Sequence, residues 1–191
     1  MKIFNIIIPL ILISVLAACS KPPTEEMNKA QDAVTRAEND ADAVSYAPSV
    51  LVRARTALAS MKSEADIKRY DSAKDFAAEA ITLAEKAIAD GKTGAERTRN
   101  EATNLINGLQ GSLAETENAL NAARQVQNIR ADFDELSLDL DTARRDHDDA
   151  RQSLQAKNYQ DAIARGQNAR SLLGSINSRI TEAAQAVSRK Q

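Results

Sequence analysis

Apolar positions step along the chain by alternating threes and fours, and five such stretches can be followed. The first runs Met27, Ala30, Val34, Ala37, Ala41, Val44, and the second Leu51, Ala54, Leu58, Met61, Ala65. The third begins Ala73, Ala77, Ala80, Ala84, Ala87 with Phe76, Leu83 and Ile88 on its flank. It resumes as Thr98, Ala102, Leu105, Leu109, Leu113, Thr116, Leu120, Ala123. The fourth is Phe133, Leu136, Leu140, Ala143, His147, Ala150, Leu154. The fifth is Tyr159, Ala162, Gly166, Ala169, Leu173, Ile176, Ile180, Ala183, Val187. A mean step of about 3.5 keeps one stripe of a helix turned toward a partner helix, whereas a half-buried strand would alternate every second residue. The spacing therefore predicts an all-α fold: an elongated, antiparallel, coiled-coil-like bundle of two αα-hairpins joined by a long central helix.

The residues between the stretches act as punctuation. Thr24 is expected to cap the first helix, with Glu25 and Glu26 complementing its positive start. Tyr46-Ala47-Pro48 should break the run, because Pro48 disfavours helix at the residue before it and suits the first turn of the next. Gly91 and Gly94 are expected to interrupt or loosen the third stretch, and Gly108 with Gly111 to mark an irregularity in it, each pair permitting a bend or a close helix approach.

The chain also repeats itself. Lys68-Arg69-Tyr70 followed by Ala73, Ala77, Ala80 and Leu83 matches Lys157-Asn158-Tyr159 followed by Ala162, Gly166, Ala169 and Leu172, an offset of 89 (159 − 70). An Ala-Arg pair precedes each tyrosine, at Ala54-Arg55 and Ala150-Arg151, with seven more residues in the first gap (70 − 54 against 159 − 150). Each copy reads as a hairpin, about 48–90 and 131–188, with its tyrosine at the bend and Asn158 able to take a left-handed conformation there.

The N-terminus carries a different pattern. Lys2 precedes an apolar run from Ile3 to Ala18, too short for the roughly 20 residues that span a bilayer and containing Pro9. This is the layout of a secretory signal. The run ends Leu16-Ala17-Ala18-Cys19, which resembles the lipobox of bacterial lipoproteins, and Cys19 is the only cysteine. That resemblance implies cleavage after Ala18 and fatty acylation of Cys19 with palmitate-type chains. The expected division is 1–18 signal peptide, 19–23 lipidated cysteine and stiff linker, and 24–191 a periplasmic helical domain. Ser20, where enterobacterial inner-membrane lipoproteins resemble one another in having Asp, points to the outer membrane.

Composition narrows the chemistry. There are 25 Lys plus Arg against 27 Asp plus Glu, interspersed, so no basic field exists to draw nucleic acid. Trp is absent and Phe and Tyr number three each, which favours long helices packed through small residues over a globule with a bulky core. His147, the sole histidine, falls on a seam and has no second histidine to join it in a metal site. The carboxylates of Asp132, Asp134, Glu135 and Asp139 to Asp149 fall between seam positions, without the glycine and spaced glutamate of a calcium loop. They are expected to face solvent, beside Arg144, Arg145 and Arg151. Tyr46, Tyr70 and Tyr159 sit at helix breaks, as covers for seam ends or as contact tips. No catalytic, cofactor-binding or metal residue is assigned.

The stretch from about Ala30 to Ala89 resembles a domain-of-unknown-function family of bacterial envelope lipoproteins. The resemblance rests on Tyr46-Ala47-Pro48, on Ala54 with Leu58, and on Tyr70 with Ala73. In that family the domain stands alone behind a lipobox or precedes an OmpA-like domain, and the family implies no activity. The expected function is a non-catalytic interaction or scaffolding module of the cell envelope, held to the membrane by lipid and meeting an envelope protein or peptidoglycan. A structural spacer between outer membrane and cell wall, in non-covalent association with peptidoglycan, is the alternative. An enzyme is the remaining one, disfavoured by the absence of a recognisable motif.

Overall fold

A computed structural model describes residues 21–189. The predicted signal segment 1–18 and the lipobox residues Leu16, Ala17, Ala18 and Cys19 lie outside them. Six helices follow: α1 (Thr24–Asn39), α2 (Ala41–Tyr46), α3 (Pro48–Asp66), α4 (Tyr70–Arg124), α5 (Phe133–Gln155) and α6 (Tyr159–Ser188). They hold 88% of the described residues and no strand occurs there, so burial is helix against helix throughout.

Local chemistry sets most boundaries. Pro48 occupies the first turn of α3, where its missing N–H costs nothing. The Asp40 side chain accepts a 2.7 Å hydrogen bond from the Ala43 N–H and so caps α2 while ending α1. That restart shifts the stripe. Ala41 and Val44, expected in the first seam, are exposed, and Ala43 and Ala47 are buried in their place. Thr24 is the first helical residue rather than the cap, a position taken by Pro23 without a side-chain bond.

The expected interruption of the third stretch does not occur. α4 runs unbroken for 55 residues, about 80 Å at 1.5 Å per residue. Gly91 and Gly94 continue the three-four stepping from Ala87 to Thr98 and are buried in the seam, while Gly108 and Gly111 face outward. A glycine costs a helix only about 1 kcal/mol relative to alanine, which a seam buried along its whole length readily offsets.

Gly91 lies against Ala43 and Gly94 against Tyr46, a constant offset of 48 (91 − 43, 94 − 46), so α1 and α2 run parallel to the first half of α4. Gly166 lies against Leu105, and Asn177 donates to Thr116, a constant offset of 61 (166 − 105, 177 − 116). α6 therefore runs parallel to the second half of α4. α3 and α5 return in the opposite direction, α5 pairing its Arg144 with Glu117 of α4. The result is two up-down-up units stacked end to end. The first is α1–α2, α3 and the start of α4; the second is the end of α4, α5 and α6. No helix from α1 to α3 packs on α5 or α6. Both expected hairpins are present, and each is completed by a third helix that α4's double role makes possible.

The two cores differ in material. Alanine supplies eleven of the sixteen buried residues of the first core, which brings its helices close together. In the larger core of the second unit alanine supplies two of nine, and Leu105, Leu109, Leu120, Leu136, Leu140, Leu173 and Ile176 fill the space.

The repeat is more regular than the Ala-Arg pairs suggest. Buried Ala47, Leu51, Ala54, Leu58 and Met61 of the first unit correspond to Leu136, Leu140, Ala143, His147 and Ala150 of the second. Ala73, Ala77, Ala80, Ala84 and Ala87 correspond to Ala162, Gly166, Ala169, Leu173 and Ile176. The offset is 89 throughout (136 − 47, 176 − 87), with no seven-residue gap. The corners agree in detail as well. Lys68 has φ 61° and Lys157 φ 62°, so the left-handed residue is a lysine in both and not Asn158, whose φ is −84°. Arg69 N–H donates to the Glu64 carbonyl at 2.9 Å and Asn158 N–H to that of Ser153 at 2.8 Å, with Lys68 to Ala65 and Lys157 to Leu154 completing the same Schellman turn. A left-handed lysine is strained where glycine is not. Lys68→Gly or Lys157→Gly is therefore expected to raise stability by about 0.5–1 kcal/mol in urea unfolding. Lys62→Gly, inside α3, should lower it by a similar amount, and equal effects at the two kinds of site would contradict the corner geometry.

Candidate functional site: the waist and the outer faces

Where α4 passes from one unit to the other, the last residue of α2, Tyr46, and the first residue of α6, Tyr159, line the same cleft without their helices packing on each other. Tyr46 rests on Gly94: a Cβ at position 94 would lie 2.7 Å from that of Tyr46. A cleft of about 300 Å³ opens there, lined by Ser45, Tyr46, Lys157, Asn158, Tyr159 and Asp161. Burial holds the Tyr46 hydroxyl above its ordinary pKa, and Asp42 and Tyr159 add to the effect. It is therefore a neutral donor and acceptor at physiological pH. Asp161 is held below the usual carboxylate range by the Ser153 hydroxyl and then by the Arg165 guanidinium. Because Ser153 belongs to α5, Asp161 also ties the two sides of the second corner together.

The three tyrosines thus have different surroundings. Tyr46 and Tyr159 come together at the waist, and Tyr70 stands at the opposite end of the first unit. Sequence reading placed each at a helix break without pairing any. The signal that could have paired them is the unbroken stepping through Gly91 and Gly94, which requires a close neighbour just there.

His147 is buried at 8% exposure in the seam of α5, at the place Leu58 holds in the first unit. Its Nδ1 lies 3.6 Å from Asp148 Oδ1, beyond a good hydrogen bond. Asp132, Asp134, Glu135, Asp141 and Asp148 are exposed, as their places between seam positions predicted, whereas Asp139, Asp146 and Asp149 are half-buried. The arginines beside these acids are only partly those expected. Arg144 pairs with Asp141 and Glu117, but Arg145 donates to Thr142, and the other partners come from α6. Arg165 holds Asp149 at 2.9 Å, and Arg179 holds Glu135 at 2.6 Å and Asp139 at 3.3 Å. Single-helix spacing cannot show such cross-helix pairs. Among the described residues no three His, Cys, Asp or Glu side chains converge to hold a metal ion.

Further grooves lie between α1 and α4, about 670 Å³ along Lys29, Asp32, Arg36, Ile81 and Glu85, and between α4 and α6, about 520 Å³ along Arg97, Glu101, Asn104, Gln167 and Arg170. No described helix is long and apolar enough to cross a membrane.

Fold and site define a helical rod of two end-to-end units. Residues 25–103 match the model of a family described as Domain of unknown function (DUF4398). The match opens with α1 and closes within α4 just past the waist, so it covers the first unit. No curated protein and no solved structure matches the chain.

Proposed function

We propose that the chain is a lipid-anchored, non-catalytic interaction or scaffolding module of the bacterial cell envelope, tethered through Cys19 to the outer membrane and facing the periplasm. The observation that supports this most is how the rod spends its side chains. Among the described residues the buried ones are apolar apart from Thr116 and His147. The charged ones lie on outer faces, and the grooves between helices carry both signs of charge. Such a surface suits reversible docking of a protein along the rod better than chemistry in an enclosed volume. The length of α4, about 80 Å, favours a second reading as a spacer between membrane and cell wall.

The anchor is tested first. Cys19→Ser should leave a precursor that keeps Met1 to Ala18 and takes up no acyl label, and normal labelling of that variant would defeat the anchor. Photo-crosslinkers placed at the exposed Val52 and Leu138 in living cells then separate the two readings. Discrete envelope-protein adducts support docking, whereas muropeptide adducts alone support the spacer.

A further inference from the structure

We propose that the corner between α3 and α4, Ile67-Lys68-Arg69, is a contact surface for a phospholipid bilayer that sets the rod upright on the membrane; this rests on the lipid anchor read at Cys19. The corner stands at the right end of the molecule. Extended down α1, the offset of 48 places Thr24 level with Ser72 (24 + 48), beside the start of α4. Lys21, two residues after Cys19, therefore enters the structure at the same end as the corner.

The second unit shows what such a corner needs for its own sake. Its equivalent of Ile67 is Ala156 (67 + 89), and the same Schellman hydrogen bonds form there. The turn thus has no use for a large apolar side chain, yet Ile67 is 56% exposed. The two corners are otherwise alike, Ala156, Lys157 and Asn158 being exposed as Ile67, Lys68 and Arg69 are, so the isoleucine is what distinguishes the first. An exposed isoleucine that the turn itself does not need, at the end where Lys21 enters, fits one surface, the boundary between headgroups and acyl chains.

The charges say how it would sit. Lys68 and Arg69 are flanked by Asp66 and Asp71, and Arg69 Nη1 lies 3.7 Å from Glu64 Oε2, so the corner has no net positive field. The contact is then apolar, with the lysine and arginine stems reaching outward to the headgroups. One isoleucine does not hold the protein on the membrane, which is the task of the acyl chains. It fixes the tilt.

The sequence contains no tryptophan, so an introduced one reports alone. The full lipidated chain carrying Ile67→Trp is reconstituted into phosphatidylethanolamine–phosphatidylglycerol vesicles with brominated acyl chains. Its fluorescence should fall at least twofold relative to unbrominated vesicles, and the drop should persist at high salt. Leu138→Trp, on an outward face of α5 near the far end of α4, should be unaffected. Acyl label is read on the same sample. Labelled protein with no quenching at position 67, or with equal quenching at both positions, overturns the surface and leaves the anchor standing. Absence of label on Cys19 overturns both.

Discussion

Leu136→Ala or Ile176→Ala is expected to lower the stability of the second unit by about 2 to 5 kcal/mol. Both residues are at 0% exposure, in the core where large aliphatic side chains rather than alanines fill the space. Truncation removes three buried side-chain carbons and leaves a cavity that rigid neighbouring helices cannot fully close. Asp148→Ala, on the exposed side of the same helix, should stay within about 0.5 kcal/mol. The location of the loss matters as much as its size. Only α4 joins the two sets of helices, so hydrogen exchange should quicken in α5, α6 and the end of α4 while α1 to α3 keep their protection. Faster exchange spread evenly over α1 to α6 would mean one cooperative core instead of two.

The seams were legible because a period near 3.5 survives whatever the partner is. Every position stepped from Leu51 to Met61 and from Ala73 to Ala87 is buried, and so is every one from Leu136 to Ala150. The reading failed where one residue decides the register. Asp40 bonds the Ala43 N–H, and two seam positions move to solvent. It failed again where a residue type has two uses. The glycines were open to two readings, a break and a close helix approach, and at Gly91 and Gly94 it is the close approach that occurs. The Ala-Arg pairs drew a false gap into the repeat because Ala54-Arg55 was matched to Ala150-Arg151, two turns past its equivalent Ala143-Arg144. Aligned by burial, Leu58 falls on His147, a pairing that residue identity hides. The waist could not be read at all, since it joins Tyr46 to Tyr159 across more than half the chain.

The sharpest test of the first unit is a pair of substitutions at glycines that look alike in sequence. Alanine at position 108 or 111 should stabilise by about 0.5–1 kcal/mol, because both positions face open space and alanine is the better helix former. Alanine at position 91 gains the same propensity and should nevertheless lose about 1 to 3 kcal/mol overall. Its methyl group would lie 2.5 Å from the Ala43 nitrogen and 2.6 Å from its Cα. Those are backbone atoms of α2, which cannot rotate aside as a side chain can, so the whole short helix must move off α4. With six residues, α2 is too short to be stable by itself and depends on its packing, most of it against α4. Gly166→Ala separates the two causes. Its new methyl would meet Leu105 Cδ2 at 2.8 Å, the far end of a side chain that can turn, so the loss should be smaller than at position 91. Urea unfolding at unchanged m-value gives the order. If Gly91→Ala stabilised as much as Gly108→Ala, α2 would not be seated on α4, and the waist built on Tyr46 would fall with it.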